Sequence, residues 1–185
     1  KDTRRYGFRC SVMAGANAID ELKDFRDLGD NVRSIEGCFS GTLGYICSEL
    51  QKGEKFSEIV KEAKKQGYTE PHPADDLSGA DVAKKLLILA RTAGINVDMK
   101  NISRTPLIPE EYFIEKDAQK FVESLSELDK DFSQSVRTAK ESKRTLRYIA
   151  SLTYRNNEPF LRVGPELVPQ NSALGMLNGT LNKIV

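Results

Sequence analysis

The chain has 185 residues, enough for one ordinary hydrophobic core, or one domain with an appendage. Hydrophobic residues make up 39% and charged residues 30%, a globular balance that excludes a disordered chain. The formal net charge is +1, from 28 Lys and Arg against 27 Asp and Glu, so electrostatics makes no case for nucleic acid or a membrane surface as partner.

The elements follow in chain order. The first nineteen residues read as irregular, and Lys1-Asp2-Thr3-Arg4-Arg5 has no apolar stretch behind it, so no signal peptide is expected. Ile19, Leu22 and Phe25 have helical spacing, with Gly29 as the stop. Asn31 to Phe39 is a short strand candidate. Ser40-Gly41-Thr42 then turns into a helix over 43–51 that ends near Gly53. A second helix spans 57–66 and closes at Gly67. A third runs from about Gly79 to Ala93, with Ser78 as N-cap and Asp81 in the first turn. Arg104 to Ile108 is extended, and two helices are predicted over 117–128 and 132–140. Leu146, Tyr148, Ala150, Leu152 and Tyr154 alternate on one strand face, Asn156-Asn157 is a turn, and Phe160, Leu161 and Val163 start the return strand of a hairpin. Helices first and strands later predict an α+β fold. The last residues, 180–185, turn apolar and read as a strand cut short, which together with the absence of an initial Met suggests a fragment.

Several chemistries start weak. No apolar run approaches the roughly 20 residues that a membrane span needs. Cys10, Cys38 and Cys47 form no CxxC pair, which points to a reducing compartment; a cytoplasmic location is the expectation. His72 is the only histidine, so an ordinary zinc site or a Ser-His-Asp centre has little to draw on. Neither a G-x-G-x-x-G fingerprint nor a Walker motif is present.

The densest polar stretch is Gly67 to Lys85. Pro71 and Pro73 force Glu70 and His72 out of helical geometry, so Glu70 lies in an extended loop. Asp76 precedes the third helix, and Asp81 and Lys85 lie one turn apart within it. Four acids, Glu70, Asp75, Asp76 and Asp81, and one lysine can meet around this helix start. Alone, Asp81 and Lys85 would be a solvated i,i+4 pair worth about 0.3–0.5 kcal/mol. The helix is apolar on most sides, however, so a partly buried pair is expected, and a lysine there can serve in proton transfer. Ser40-Gly41-Thr42 is either a glycine turn with a cap, or a helix start whose amides hold a carboxylate or phosphate.

Two segments carry a resemblance. Glu36-Gly37-Cys38-Phe39-Ser40-Gly41-Thr42-Leu43-Gly44-Tyr45-Ile46 resembles the "EGIFSGTLSYI" segment of homoserine dehydrogenases. Ala63 to Pro71, followed by Pro73-Ala74-Asp75-Asp76-Leu77-Ser78-Gly79-Ala80-Asp81-Val82-Ala83-Lys84-Lys85, resembles that family's signature. Thr105 to Pro109 and Thr145 to Ile149 look like later segments, in the style of bifunctional aspartokinase–homoserine dehydrogenases. The resemblance implies reduction of L-aspartate 4-semialdehyde to L-homoserine with NADPH or NADH, on the route to threonine, methionine and isoleucine. It also implies that residues 1–185 form the substrate and dimerisation domain of a homodimer, without the Rossmann domain. The expected sheet is mixed and mainly antiparallel, with helices covering one face.

Carried over by residue, Lys85 and Asp81 match the catalytic pair. Glu70 and Asp76 match acids at the substrate's amino group, Thr42 the substrate and nicotinamide edge, and Tyr68 the pocket lining; Ser40, Gly41 and Thr42 would meet the cofactor. His72 stands at a rim position that usually holds Asp, Asn or Ser. Val12 and Ala14 match residues whose carbonyls hold a monovalent cation, but Arg9 stands where an acid usually helps, and Met13 replaces a glycine. The Leu146/Tyr148/Ala150/Leu152/Tyr154 face must be covered by helices or another subunit, and is expected in a homodimer interface. Two rival readings are a non-catalytic dimerisation module, and a metal-assisted hydrolase built on Glu70, Asp75, Asp76 and Asp81. The second lacks any ordinary ligand spacing and gives Lys85 no task.

Overall fold

The computed structural model describes residues 7–185. The chain opens with two short 3-10 turns, Arg9–Ser11 and Met13–Gly15, and then helix α1, Ala18–Asp27, which buries Ala18, Ile19 and Leu22. Strand β1 is Ile35–Cys38. Helix α2, Gly41–Lys52, is capped by Ser40, whose hydroxyl accepts from Leu43 N at 3.2 Å, and it stops at Gly53 with φ 103°. Helix α3 is Phe56–Lys65, followed by a single turn α4, Ala74–Leu77, and the long helix α5, Ala80–Thr92. Strand β2 is Ile102–Arg104, helix α6 is Ala118–Ser124 and helix α7 is Asp129–Glu141. Strands β3, Arg144–Arg155, and β4, Glu158–Pro169, form a long hairpin. A two-residue strand β5, Lys183–Ile184, comes last.

The sheet order is β2-β4-β3-β1-β5. All pairs are antiparallel except β2 with β4, so the sheet is mixed and mainly antiparallel as expected. The hairpin turns at Asn156 and Asn157, both with positive φ (52° and 65°), the two-residue geometry that asparagine tolerates. Register pairs Ala150 with Val163 and Leu152 with Leu161. These four side chains are fully buried in one core with Leu43 and Ile46 of α2, Leu86 and Leu89 of α5 and Val136 of α7. Removing a leucine of this kind from water is worth about 1.5–3 kcal/mol, which is why the alternating face dictates where the helices lie.

Four expectations need correction. The Leu146–Leu152 face is covered inside the chain by α2, α5 and α7, so it is not free to be a subunit interface. Tyr154 escapes that cover because it sits near the hairpin tip, where it is exposed. The extended segment is β2, displaced to Ile102–Arg104 because its pairing with β4 in parallel, Ile102 opposite Leu161, decides where ladder bonds form. The N-cap of α5 is Gly79 with φ 69°, not Ser78; the Ser78 hydroxyl instead accepts from Ala80 N and donates to Asp75 O, tying α4 to α5.

The opposite sheet face has a different cover. Ile149, Cys38 and Leu174 form a small cluster flanked by Val168 and Leu177. Leu174 and Leu177 come from a strap, residues 170–182, that crosses this face before entering β5.

Candidate active site

Two elements bring the polar residues together. Gly67, with φ 72°, ends the α3 region and redirects the chain to Tyr68, Thr69 and Glu70. The α4–α5 turn then returns it beside the first turn of α2. The Thr42 hydroxyl donates to Tyr68 O at 2.5 Å, and the Tyr68 ring meets Tyr45 of α2 edge-on at 5.1 Å. Glu70 N donates to Asp76 Oδ2 at 2.7 Å, so the two acids are locked by backbone rather than by chance. The Asp76 carboxyl is partly buried, and this burial pushes its pKa upward, against the lowering effects of the Glu70 amide and the Thr42 hydroxyl. The Glu70 carboxylate is exposed and pairs with no cation among the described residues.

Lys85 projects from α5 to the backbone just before the Ser40 cap. Its Nζ lies 2.7 Å from Asp81 Oδ2 and donates to Phe39 O at 2.8 Å. The pair is asymmetric: the Lys85 side chain is 24% exposed and that of Asp81 is 66% exposed. The expectation of a partly buried pair therefore holds for the lysine only. An ammonium has three donors, so these two partners leave one N–H for a ligand. The carbonyl of Phe39 is a feature no residue pattern announces, since a backbone acceptor carries no side-chain signature.

The same turn gains its shape from the strap. A Cβ at Gly41 would lie 3.4 Å from Thr180, and a Cβ at Gly44 would lie 3.0 Å from Gly179 O. These glycines therefore admit the strap, not a ligand. The Ser40 and Thr42 hydroxyls are both engaged within the chain and Leu43 N is taken by the cap, which leaves the amides of Gly41 and Thr42 at the start of α2.

Gly79 makes the other close approach. The Tyr148 hydroxyl donates to Thr105 O at 2.8 Å and occupies the space a Cβ at Gly79 would need. Arg104 donates to Ser78 O alongside. Together they fix the start of α5, and with it the direction of Asp81 and Lys85.

His72 is half-buried. Its Nδ1 accepts from Ala74 N at 3.3 Å, its ring lies 5.0 Å from Phe121, and Nε2 is buried without a partner. Asp75 is exposed, on the outer side of α4. No group of three or more His, Cys, Asp or Glu among the described residues could hold a metal ion, which leaves the hydrolase reading without support.

The cation implied at Val12 and Ala14 does not fit the residues present. No carboxylate occurs between Arg9 and Ala16, and Met13 O already accepts from Ala16 N at 3.0 Å. Asp20, in α1, is 2.6 Å from the Arg9 guanidinium. Arg9, at the position the resemblance gives to an acid, thus supplies no negative ligand, which a cation would need beside the carbonyls. Met13 and Ala14 both adopt positive φ, 58° and 47°, at a cost of about 1–2 kcal/mol per residue.

A cavity of about 510 Å³ lies away from this cluster, between α1, the 30–35 loop and Ile184–Val185. None of Thr42, Tyr68, Glu70, Asp76, Asp81 and Lys85 lines it.

Comparison with known proteins gives the family. The homoserine dehydrogenase family profile matches residues 18–185. The chain is 38% identical over 179 residues to the homoserine dehydrogenase of Saccharomyces cerevisiae, covering 94% of this chain and 49% of that protein. It is 40% identical over 149 residues to a bifunctional aspartokinase/homoserine dehydrogenase of Buchnera aphidicola, covering 80% of this chain and 18% of that protein. Among solved structures, a Candida auris protein described as of unknown function superposes with a TM-score of 0.88 at 34% identity, over 95% of this chain and 50% of the other. A putative homoserine dehydrogenase from Archaeoglobus fulgidus gives 0.71 at 27% identity, over 90% of this chain and 44% of the other. The chain thus spans at most about half the length of these relatives. A profile match over residues 18–185, nearly the whole chain, means that this chain belongs to the homoserine dehydrogenase family.

Proposed function

We propose that the complete protein reduces L-aspartate 4-semialdehyde to L-homoserine, within threonine, methionine and isoleucine biosynthesis, and that residues 1–185 form its substrate-binding and dimerisation domain. The observation that carries this reading is the Lys85 ammonium, held between Asp81 and Phe39 O with one N–H to spare. Bound NADPH or NADH would supply the hydride to the aldehyde carbon.

Hydride addition leaves charge on the aldehyde oxygen, which must then gain a proton. Lys85 stabilises that developing charge and donates the proton. Asp81, one helical turn earlier, orients the ammonium. Glu70 and Asp76 hold the substrate's ammonium group, which fixes the aldehyde near Lys85. Ammonium binding also offsets the burial that raises the Asp76 pKa, so substrate and carboxylate favour each other's charged form. Thr42 ties α2 to Tyr68 and so closes the pocket wall, and the first-turn amides at Ser40, Gly41 and Thr42 meet the nicotinamide edge.

The test is semialdehyde-dependent oxidation of NADPH and of NADH by the full-length protein. Turnover with either supports the reading, and its absence in folded protein favours a non-catalytic module. Homodimerisation belongs to the same reading. The free half of the outer sheet face, with Ser151, Thr153 and Arg162, is the surface we assign to it, since the inner face is covered. Light scattering that gives a monomer at micromolar concentration would refute this. The three free thiols accord with a reducing compartment, and we assign the protein to the cytoplasm.

A further inference from the structure

We propose that Arg147 is a positioning residue: by clamping the 170–182 strap it sets the first turn of α2, the turn that faces the nicotinamide. This rests on the reading of the site given above. Arg147 lies on β3, on the sheet face away from the helices, and is only 2% exposed. Its guanidinium donates to Leu174 O at 3.2 Å, Gly175 O at 2.7 Å and Leu177 O at 2.7 Å, all on the strap. It also donates to Thr145 Oγ1 at 3.0 Å, Leu146 O at 2.8 Å and Gln51 Oε1 at 3.3 Å. None of these acceptors is charged. A buried cation without a carboxylate is expensive, and burial pulls its pKa down; the carbonyls offset that cost only while the strap stays closed around it.

The link from strap to site is short and made of backbone. Two residues beyond Leu177, Gly179 N donates to the Ser48 hydroxyl of α2 at 3.0 Å. Gly179 O then lies against Gly44 and Thr180 against Gly41, both at contact distance for an added Cβ. On its other side the same stretch of chain touches the catalytic cluster, through Phe39 O to Lys85 and Thr42 to Tyr68. The Ser40–Thr42 turn is thus held between two supports. One is the α5 cluster; the other is the strap, whose anchor is a planar fork that serves three strap carbonyls at once. A lysine keeps the charge but cannot reproduce that fork.

The test uses the full-length protein and the Arg147→Lys and Ser48→Ala variants. Two readouts are taken: amide exchange at Gly179, and kcat with the KM for semialdehyde. Arg147→Lys is expected to speed exchange at Gly179 and to lower kcat by ~10–100-fold, the scale for a misplacement of about 1 Å, with the KM for semialdehyde within about twofold of wild type. Ser48→Ala should give the same signature at several-fold, and it stands in if Arg147→Lys does not fold. Faster exchange with wild-type kcat in either folded variant overturns the proposal, because the strap would then be released without consequence for the site. Unchanged exchange in both overturns it too, because the strap would not be held there. A wild-type protein without semialdehyde-dependent turnover refutes the functional reading instead, and is recognised before any variant is made.

Discussion

The Gly67–Lys85 segment and the 170–185 segment both hold the first turn of α2, from opposite sides and by different means. The first does it through side-chain groups that belong to recognisable chemistry: the Thr42 hydroxyl on Tyr68 O, and the Lys85 ammonium on Phe39 O just before the turn. The second does it with backbone: a carbonyl against Gly44, an amide on Ser48, and three carbonyls on Arg147. The contrast teaches that a site's reacting groups and its supports can be written in different alphabets. Side-chain chemistry is specific to residue type, whereas a backbone clamp works with almost any sequence that can take the path.

The sharpest way to break the comparison is to remove the reacting group on the first side. Lys85→Ala should lower kcat by ~10²–10⁴-fold, the usual scale for a lost general acid. The KM should change much less, because the contact strengthens mainly in the transition state. Steady-state kinetics on the full-length protein, with circular dichroism to confirm folding, decide the matter. Near-wild-type kcat would return Lys85 to the status of a helix ion pair.

A glycine on the same side tests how rigidly that cluster is built. Gly79→Ala places a methyl group where the Tyr148 hydroxyl sits, in a residue with φ 69°. Strain and overpacking together should cost about 2–5 kcal/mol, read from the urea midpoint. A loss below 1 kcal/mol would mean that Tyr148 can swing away, and that α5 is not fixed by it.

The two acids should separate binding from stability. Glu70→Ala is expected to raise the KM for semialdehyde by ~10–100-fold, the value of a hydrogen bond to a charged group, with kcat far less affected. Asp76→Asn should raise that KM as well, but it should also stabilise the fold at neutral pH. The sign follows from burial. The folded-state pKa of Asp76 is raised above its ordinary 3.8, so the native state binds the proton more tightly than the unfolded chain. Stability contributed by this group is greatest below 3.8 and falls as pH rises through the raised folded value. Asparagine removes that fall. Urea midpoints of both proteins, compared across this window, should diverge upward with pH; parallel curves would show that Asp76 is effectively solvated.

The smallest effect lies on the strap side. Alanine at Gly44 gains about 1 kcal/mol of helix propensity, yet its Cβ would stand 3.0 Å from Gly179 O. With the strap pinned by Arg147, overpacking of ~1–3 kcal/mol should win, for a net loss of about 1 kcal/mol in thermal or urea denaturation. A net gain would mean that the strap yields, and that the two supports of the turn are unequal.

Legibility in the sequence follows the same divide. The helix over 79–93 was readable because Val82, Leu86 and Leu89 keep helical spacing and Gly94 ends it, and the structure has α5 at Ala80–Thr92. The hairpin was readable from alternation and from Asn156-Asn157. The polar cluster was readable because Pro71 and Pro73 must break the chain between α3 and α5. What stayed hidden has one physical source, contact between residues distant in sequence. The turn α4 was not predicted because its four residues are too few to show a period. His72 gave no sign that its ring would turn inward onto Phe121, a residue of α6.

By itself the sequence determined the longer helices and the hairpin, the α+β class, and the residue types that can carry a proton and a bound ammonium, because periodicity, turn chemistry and side-chain type are local properties. Only the tertiary structure decided that the apolar strand face is closed by this chain's own helices, that Gly41 and Gly44 admit a strap, and that Arg147, a charged residue on an alternating strand, is buried in carbonyls. Each of these depends on which distant segment arrives opposite a residue, and burial is a property of that pairing, not of the residue alone.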